Sequence, residues 1–301
     1  MGLPGFLLSL LSRIKREETG GVIILVAISI VVLMGMAALV IDVGGMYTAR
    51  RQMVNAADAA ALAGAQELVL GGDIKGISNY YAKTLNEADT AEVYVDLDKQ
   101  TVTVEAEKLV EFTFARVLGF SNTEVPARAV AVAGPLRKAA GLIPIGVPEN
   151  KLVDEGETME VIRFKMDFGP GNWGWISFEG TGNQFNPNTI ADHIRDGYPE
   201  LVEVGDPIQT RTGTFNPKMA TEVDEHISNG NKVFVPIVEE GTGTGTEEFT
   251  IVGFAAIVLE EREGNPAHTT ITARVEEGEF ASGIIDPEGP DYGLKGIALI
   301  E

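Results

Sequence analysis

The sequence predicts an α+β, membrane-anchored protein: a long N-terminal transmembrane and Ala-rich helix, then a small α/β unit, then a β-rich distal domain built as a barrel or sandwich. Three observations carry that expectation. Residues 20–41 form one apolar run, later stretches alternate apolar and polar residues at period two, and charge is divided unevenly along the chain. Of the 301 residues, 23 are Lys or Arg and 44 are Asp or Glu, a net charge of −21. Residues 1–148 hold 13 basic and 15 acidic side chains, whereas residues 149–301 hold 10 and 29. So acidic a distal half argues against nucleic acid and anionic lipid as its ligands, because phosphate binding needs clustered Lys and Arg. No Cys is present, which excludes disulfides, thiolate metal sites and Cys nucleophiles. The three His, at 193, 226 and 268, are too few and too scattered to predict a multi-histidine metal centre.

Residues 1–19 are expected to form a cytoplasmic N-terminal segment, whose Phe6, Leu7, Leu8, Leu10 and Leu11 suit an interfacial helical turn or an ordered cap. Gly20 to Ile41 contains no ionisable residue, and as a helix it would extend about 33 Å, enough to cross the hydrocarbon core. The competing reading is a cleaved signal peptide, but its apolar stretch is shorter and is followed by a small-residue cleavage site. Arg13, Lys15 and Arg16 precede the span and place the N-terminus in the cytoplasm, a bias that Arg50 and Arg51 on the far side reduce. The remainder is then expected outside the cytoplasm, with the lipid bilayer as a partner.

Residues 42–72 read as a helix that continues from the span and stops at Gly71 and Gly72. Ala56, Ala57, Ala59, Ala60, Ala61, Ala63, Gly64 and Ala65 give it a small-residue face, which permits close approach of another backbone. Arg51, Asn55 and Asp58 make a polar stripe at helical spacing. Such a helix packs either on its own domain or on partner subunits. The candidate packing and assembly residues are Gly35, Asp42, Arg50, Arg51, Ala57, Asp58, Ala61 and Gly64.

From about Thr19 to Leu68 the chain resembles the N-terminal segment of the TadE/TadG-like pilus-assembly proteins of the bacterial tight-adherence (Flp pilus) system. The resemblance rests on the apolar span leading into Asp42, the step at Arg50 and Arg51, and the small-residue core Ala57 to Ala63. The portion through Phe112, Phe114, Gly119 and Phe120 to the strand at 129–134 is similar to the region that follows. The resemblance implies a single-pass envelope protein of pilus assembly or anchoring, without catalytic residues, whose partners are other pilus-assembly proteins or copies of itself through the N-terminal helix. Two family-related features are missing. The span holds no Glu of the kind found early in processed prepilin helices, and no Asp-x-Ser-x-Ser string is present to mark a metal-binding adhesion domain.

Residues 73–134 are expected to form a small α/β unit: a helix over 73–88, a hairpin in which Val93, Val95 and Leu97 are answered by Val102, Val104 and Ala106, a short helix over 112–118, and a strand over 125–132. Residues 135–148, rich in Pro and Gly, read as a linker. In the acidic unit 149–301, strands are expected over 158–168, 233–238, 249–259, around 271–275 and at 296–300, the last closing the distal sheet. The run 249–259 suits a strand buried on both faces, and short helices are expected after Pro187 and Pro217.

Chemistry-bearing motifs are sparse. GTGTGT at 241–246 lacks the strand-to-helix setting of a phosphate loop, no GxSxG or HExxH occurs, and the DPEGPD turn at 286–291 lacks EF-hand spacing. Trp173 and Trp175 lie two apart, so on a strand they share a face, either as core or as an aromatic surface patch. The expected function is non-enzymatic and without cofactors: a membrane-anchored pilus-assembly or anchoring protein presenting an acidic module outside the cell membrane. The alternative is a subunit of an extracellular, cell-surface filament with residues 20–70 as its helical core. A third option is an envelope ligand-binding or hydrolase module, which would need a cleft with convergent polar groups.

Overall fold

The computed structural model describes residues 18–163, 174–178, 187–210, 216–239, 248–265, 268–279 and 283–300. Residues 1–17, the second half of the strand expected over 158–168, Trp173 and the 241–246 loop lie outside the described residues.

Helix α1 (Glu18–Leu70) is one continuous element of 53 residues, about 80 Å long. It joins the expected span and the expected Ala-rich helix without a break, and Gly71, at φ +69°, stops it. A short helix, α2 (Ile74–Asn79), is capped by the Asp73 carboxylate and widens into a π turn over Tyr80–Leu85. The hairpin of β1 (Thr90–Asp96) and β2 (Thr101–Glu111) pairs Val93 with Val104 and Val95 with Val102. A 3-10 turn, Ala115–Leu118, then leads to β3 (Asn122–Ala139), an 18-residue strand.

The first sheet has the order β1-β2-β3-β14-β12, with β14 at Leu294–Leu299 and β12 at Gly278–Glu279. Against this sheet lies the second half of α1, and the core between them is built mainly of alanine: Ala56, Ala57, Ala60, Ala61 and Ala65 from the helix, Ala106, Ala127, Ala129 and Ala131 from the strands.

The second sheet has the order β4-β9-β10-β11-β5, comprising β4 (Val147–Pro148), β9 (Lys232–Val238), β10 (Glu248–Asn265), β11 (His268–Glu276) and β5 (Thr158–Arg163). Two short strands, β6 (Ile176–Ser177) and β8 (Pro207–Thr210), pair with each other, and β8 extends onto β10. Together the strands form a curled half-barrel. β10 is central and buried on both faces, as its unbroken apolar sequence predicts. Ala255, Ile257 and Leu259 face a core that includes Ile190 and Ile194 of α3 (Pro187–Asp196) and Met219 and Val223 of α4 (Pro217–Asn229). Phe254 and Ala256 face a second core shared with Leu136, Leu142 and Leu294. Both helices begin at the expected prolines, and the Asn216 side chain accepts from the Met219 N–H to cap α4.

Two features differ from the sequence reading. β3 does not end at 132 but continues to Ala139, through Gly134 and Pro135, into the stretch expected as a linker. Its far end pairs with β13 (Ile284–Ile285) and β7 (Val202–Glu203). And β14 closes the first sheet rather than the second, pairing Lys295 through Leu299 with Pro135 through Ala131. Local periodicity identifies a strand but carries no record of its neighbour, so a strand 160 residues from its partner is assigned to the nearer sheet.

Candidate membrane-boundary site

Every residue from Gly21 to Ala37 is exposed, a bare apolar cylinder. Where it ends stands Asp42, whose side chain is by contrast buried, at 8% exposure. A carboxylate withdrawn from water needs compensating donors. Three backbone amides supply them: Thr113 N–H donates to Oδ1 at 2.8 Å, Ala115 N–H to Oδ2 at 2.7 Å, and Phe114 N–H to Oδ2 at 3.0 Å. These amides open the 3-10 turn Ala115–Leu118, so they are donors with no partner inside the turn, and Asp42 caps them from another element. The result is a clasp between α1 and the loop 112–121, 71 residues further on.

The clasped loop turns apolar side chains outward. Phe114 is 42% exposed, Phe120 63% and Val117 88%, whereas its charged residue, Arg116, is paired with Glu111 at 2.8 Å. Between this loop and α1 lies a groove of about 740 Å³, lined by Val31, Met34, Gly35 and Ala38 on the helix and by Phe114 and Val117 on the loop. All its helical walls lie at or before Asp42, on the side of the apolar span. Gly35 thus faces open space in the groove, where an added Cβ would meet nothing within 4 Å.

From Ala56 to Ala65 most small residues of α1 are taken up by the chain's own first unit. Ala57 and Ala61 are fully buried, and a Cβ on Gly64 would stand 2.3 Å from Ser78 Oγ and 2.9 Å from Val102 Cγ1. Of the candidate assembly residues, Ala57, Ala61 and Gly64 therefore contact this chain's own first unit. Arg50 and Arg51 are exposed, and Asp58 is half-buried, its burial raising the carboxyl above the usual aspartate range. At the edge of this contact, Gln66 Nε2 donates to Glu279 Oε2 at 2.7 Å, tying α1 to the end of β12.

In the distal unit the perturbed carboxylates are ion-paired rather than gathered in a cleft. Hydrogen bonds from Lys218, Arg195, Lys138 and Arg262 hold Asp192, Asp196, Glu203 and Asp224, respectively, below their ordinary values. Glu260 is lowered by Thr158 and Arg274 together. Tyr292, half-buried against Gly253 and donating to Glu149 at 2.9 Å, is pushed up to about 12, chiefly by that burial. Among the described residues no three His, Asp or Glu side chains come together as metal donors. Trp175, a candidate for an aromatic surface patch, is instead 2% exposed, bridged to Ile145 and packed in the distal core with Ile190, Ile194 and Met219; its companion Trp173 lies outside the described residues.

The clasp was hidden from sequence reasoning because its donors are backbone amides, which carry no residue signature. One signal was available. An aspartate immediately after an unbroken apolar span must find donors nearby, and the run from Phe112 to Phe120 offers a turn without a single acidic side chain.

Comparison with curated proteins and with solved structures gives no match. Residues 20–67 match the model of the Tad family, putative Flp pilus-assembly TadE/G-like, so the N-terminal region of the chain is TadE/G-like, and it carries a helix long and apolar enough to cross a membrane.

Proposed function

We propose that this chain is a non-enzymatic, single-pass component of tight-adherence-type pilus assembly or anchoring, with residues 20–41 in the cell membrane, the N-terminus in the cytoplasm and the acidic unit outside. The observation that carries this reading is the unbroken course of α1: bare over its apolar half, buried against the first sheet from Met53 to Ala65. A helix without a hinge holds the folded part at a fixed height and orientation over the bilayer, which is what an anchor or assembly platform requires. The net charge of −19 on residues 149–301 keeps neighbouring distal units apart while the helices share one membrane. Other pilus-assembly proteins are the partners the family match favours.

The absence of Cys makes a direct test simple. Single substitutions Ser9→Cys and Ser228→Cys are introduced, and spheroplasts are treated with a membrane-impermeant maleimide. Labelling of Ser228→Cys in intact spheroplasts, and of Ser9→Cys only after permeabilisation, is the expected result; the reverse pattern overturns the orientation. Sheared surface filaments analysed by mass spectrometry should lack this chain as a major band. Finding it there would replace the anchoring role with that of a filament subunit.

A further inference from the structure

We propose that the loop Phe112–Ser121 is a second membrane contact: it inserts Val117 and Phe120 into the acyl boundary of the outer leaflet beside the span, and the groove between loop and helix is filled by lipid. The inference rests on residues 20–41 spanning the bilayer. Four observations point to lipid rather than water or protein. First, the groove runs from Asp42 back along the helix to Val31, so its walls continue the bare apolar surface of the span. Second, the loop leaves large apolar side chains bare, with Val117 at 88% and Phe120 at 63% exposure. Third, in a chain of net charge −21 this loop has no acidic residue, and Arg116 is neutralised by Glu111. Anionic headgroups would therefore meet no repulsion there.

The fourth observation concerns the backbone. Irregular chain is tolerated at membrane depth only where its polar groups are satisfied within the protein. Thr113, Phe114 and Ala115 donate to Asp42, Phe112 to the Ser121 carbonyl, Val117 to that of Phe114, Gly119 to that of Arg116, and Phe120 to that of Ala115. Asp42 then has a specific task. It fixes the depth at which the loop enters the bilayer, and the amides it binds let its own charge remain at the boundary.

The test uses the full chain, purified and reconstituted into phosphatidylcholine–phosphatidylglycerol vesicles, with an environment-sensitive fluorophore on single cysteines at Val31→Cys, Val117→Cys, Phe120→Cys and Ser228→Cys. Quenching by lipids carrying nitroxide on the acyl chain is compared with quenching by aqueous iodide. Val31→Cys, Val117→Cys and Phe120→Cys should be quenched severalfold more by the lipid nitroxide, and Ser228→Cys by iodide. Adding Asp42→Asn should return the probe at Val117→Cys toward iodide accessibility while leaving Val31→Cys unchanged. If Val31→Cys is lipid-quenched but Val117→Cys and Phe120→Cys are iodide-quenched, loop insertion is wrong and the anchor stands. If Val31→Cys is also iodide-quenched, the anchor itself fails. Shielding of Val117→Cys from both quenchers, deepening as the protein-to-lipid ratio rises, would mean that a second copy covers the groove, which also overturns the proposal.

Discussion

The two sheets are held by cores of opposite character. Between α1 and the first sheet, eleven of the fourteen fully packed residues are alanine, so helix and sheet approach until a single methyl on Gly64 would collide with Ser78 and Val102. The distal core, between the second sheet and α3 and α4, is filled by Ile143, Ile145, Met159, Trp175, Ile194, Met219, Ile257 and Leu259. Alanine buries little apolar area per residue, so the first core gains stability from many close contacts along a long, straight interface. The distal core gains it from a few large side chains. The first should therefore be intolerant of added volume, and the second of lost volume.

Ile257→Ala, at a fully buried site at the centre of β10, should cost about 2–5 kcal/mol, read from denaturant unfolding of the detergent-solubilised chain. A loss below about 1 kcal/mol would mean that the distal core collapses onto cavities as readily as a looser one. The mirror-image change is Gly64→Ala. Helix propensity alone would make it stabilising by about 1 kcal/mol. The collision at 2.3 Å with Ser78 Oγ should reverse the sign and produce a net loss of about 1–2 kcal/mol.

Ser78 refines the same comparison. Its hydroxyl is buried with no hydrogen-bond partner, so Ser78→Ala should be neutral or stabilising by up to about 1 kcal/mol. In the double variant it should also recover most of the Gly64→Ala loss. Additive effects in this cycle would show that the helix is not held against Ser78 as closely as its distances imply.

The smallest expected effect is one of pH. Asp224 on α4 is held below its ordinary value chiefly by the hydrogen bond from Arg262 on β10, with burial opposing. A depressed carboxyl contributes stability that is present above the unfolded pKa, about 4, and is lost as pH falls through the lower folded value. With the Asp224 side chain 49% exposed, the pair should contribute well under about 1 kcal/mol. Arg262→Gln should lower stability by that amount near neutral pH and leave it unchanged well below the folded pKa, so that the acid limb of the stability curve flattens.

Much of this fold could be read in the chain. The span, the Gly71 stop, the 93–104 hairpin, the two proline-initiated helices and the doubly buried β10 all follow from periodicity and local backbone chemistry. What could not be read is pairing at a distance. The union of β14 with β3 and the approach of Thr113 to Asp42 depend on which surfaces meet after collapse, and neither changes the local pattern of either partner. Ala57, Ala61 and Gly64 show the limit most clearly. Small residues at helical spacing announce a close neighbour, but the same spacing serves the protein's own sheet as well as another subunit, and here the sheet occupies it.

The return of β14 to β3 has a mechanical consequence. Because β14 is laid antiparallel against β3, the strand that leaves the first unit, a pull between α1 and the distal sheet bears on five backbone residue pairs as well as on the chain connection after β3. Tension between the two sheets would then be shared by β3 and β14, adjacent strands of the first sheet, rather than borne by one of them.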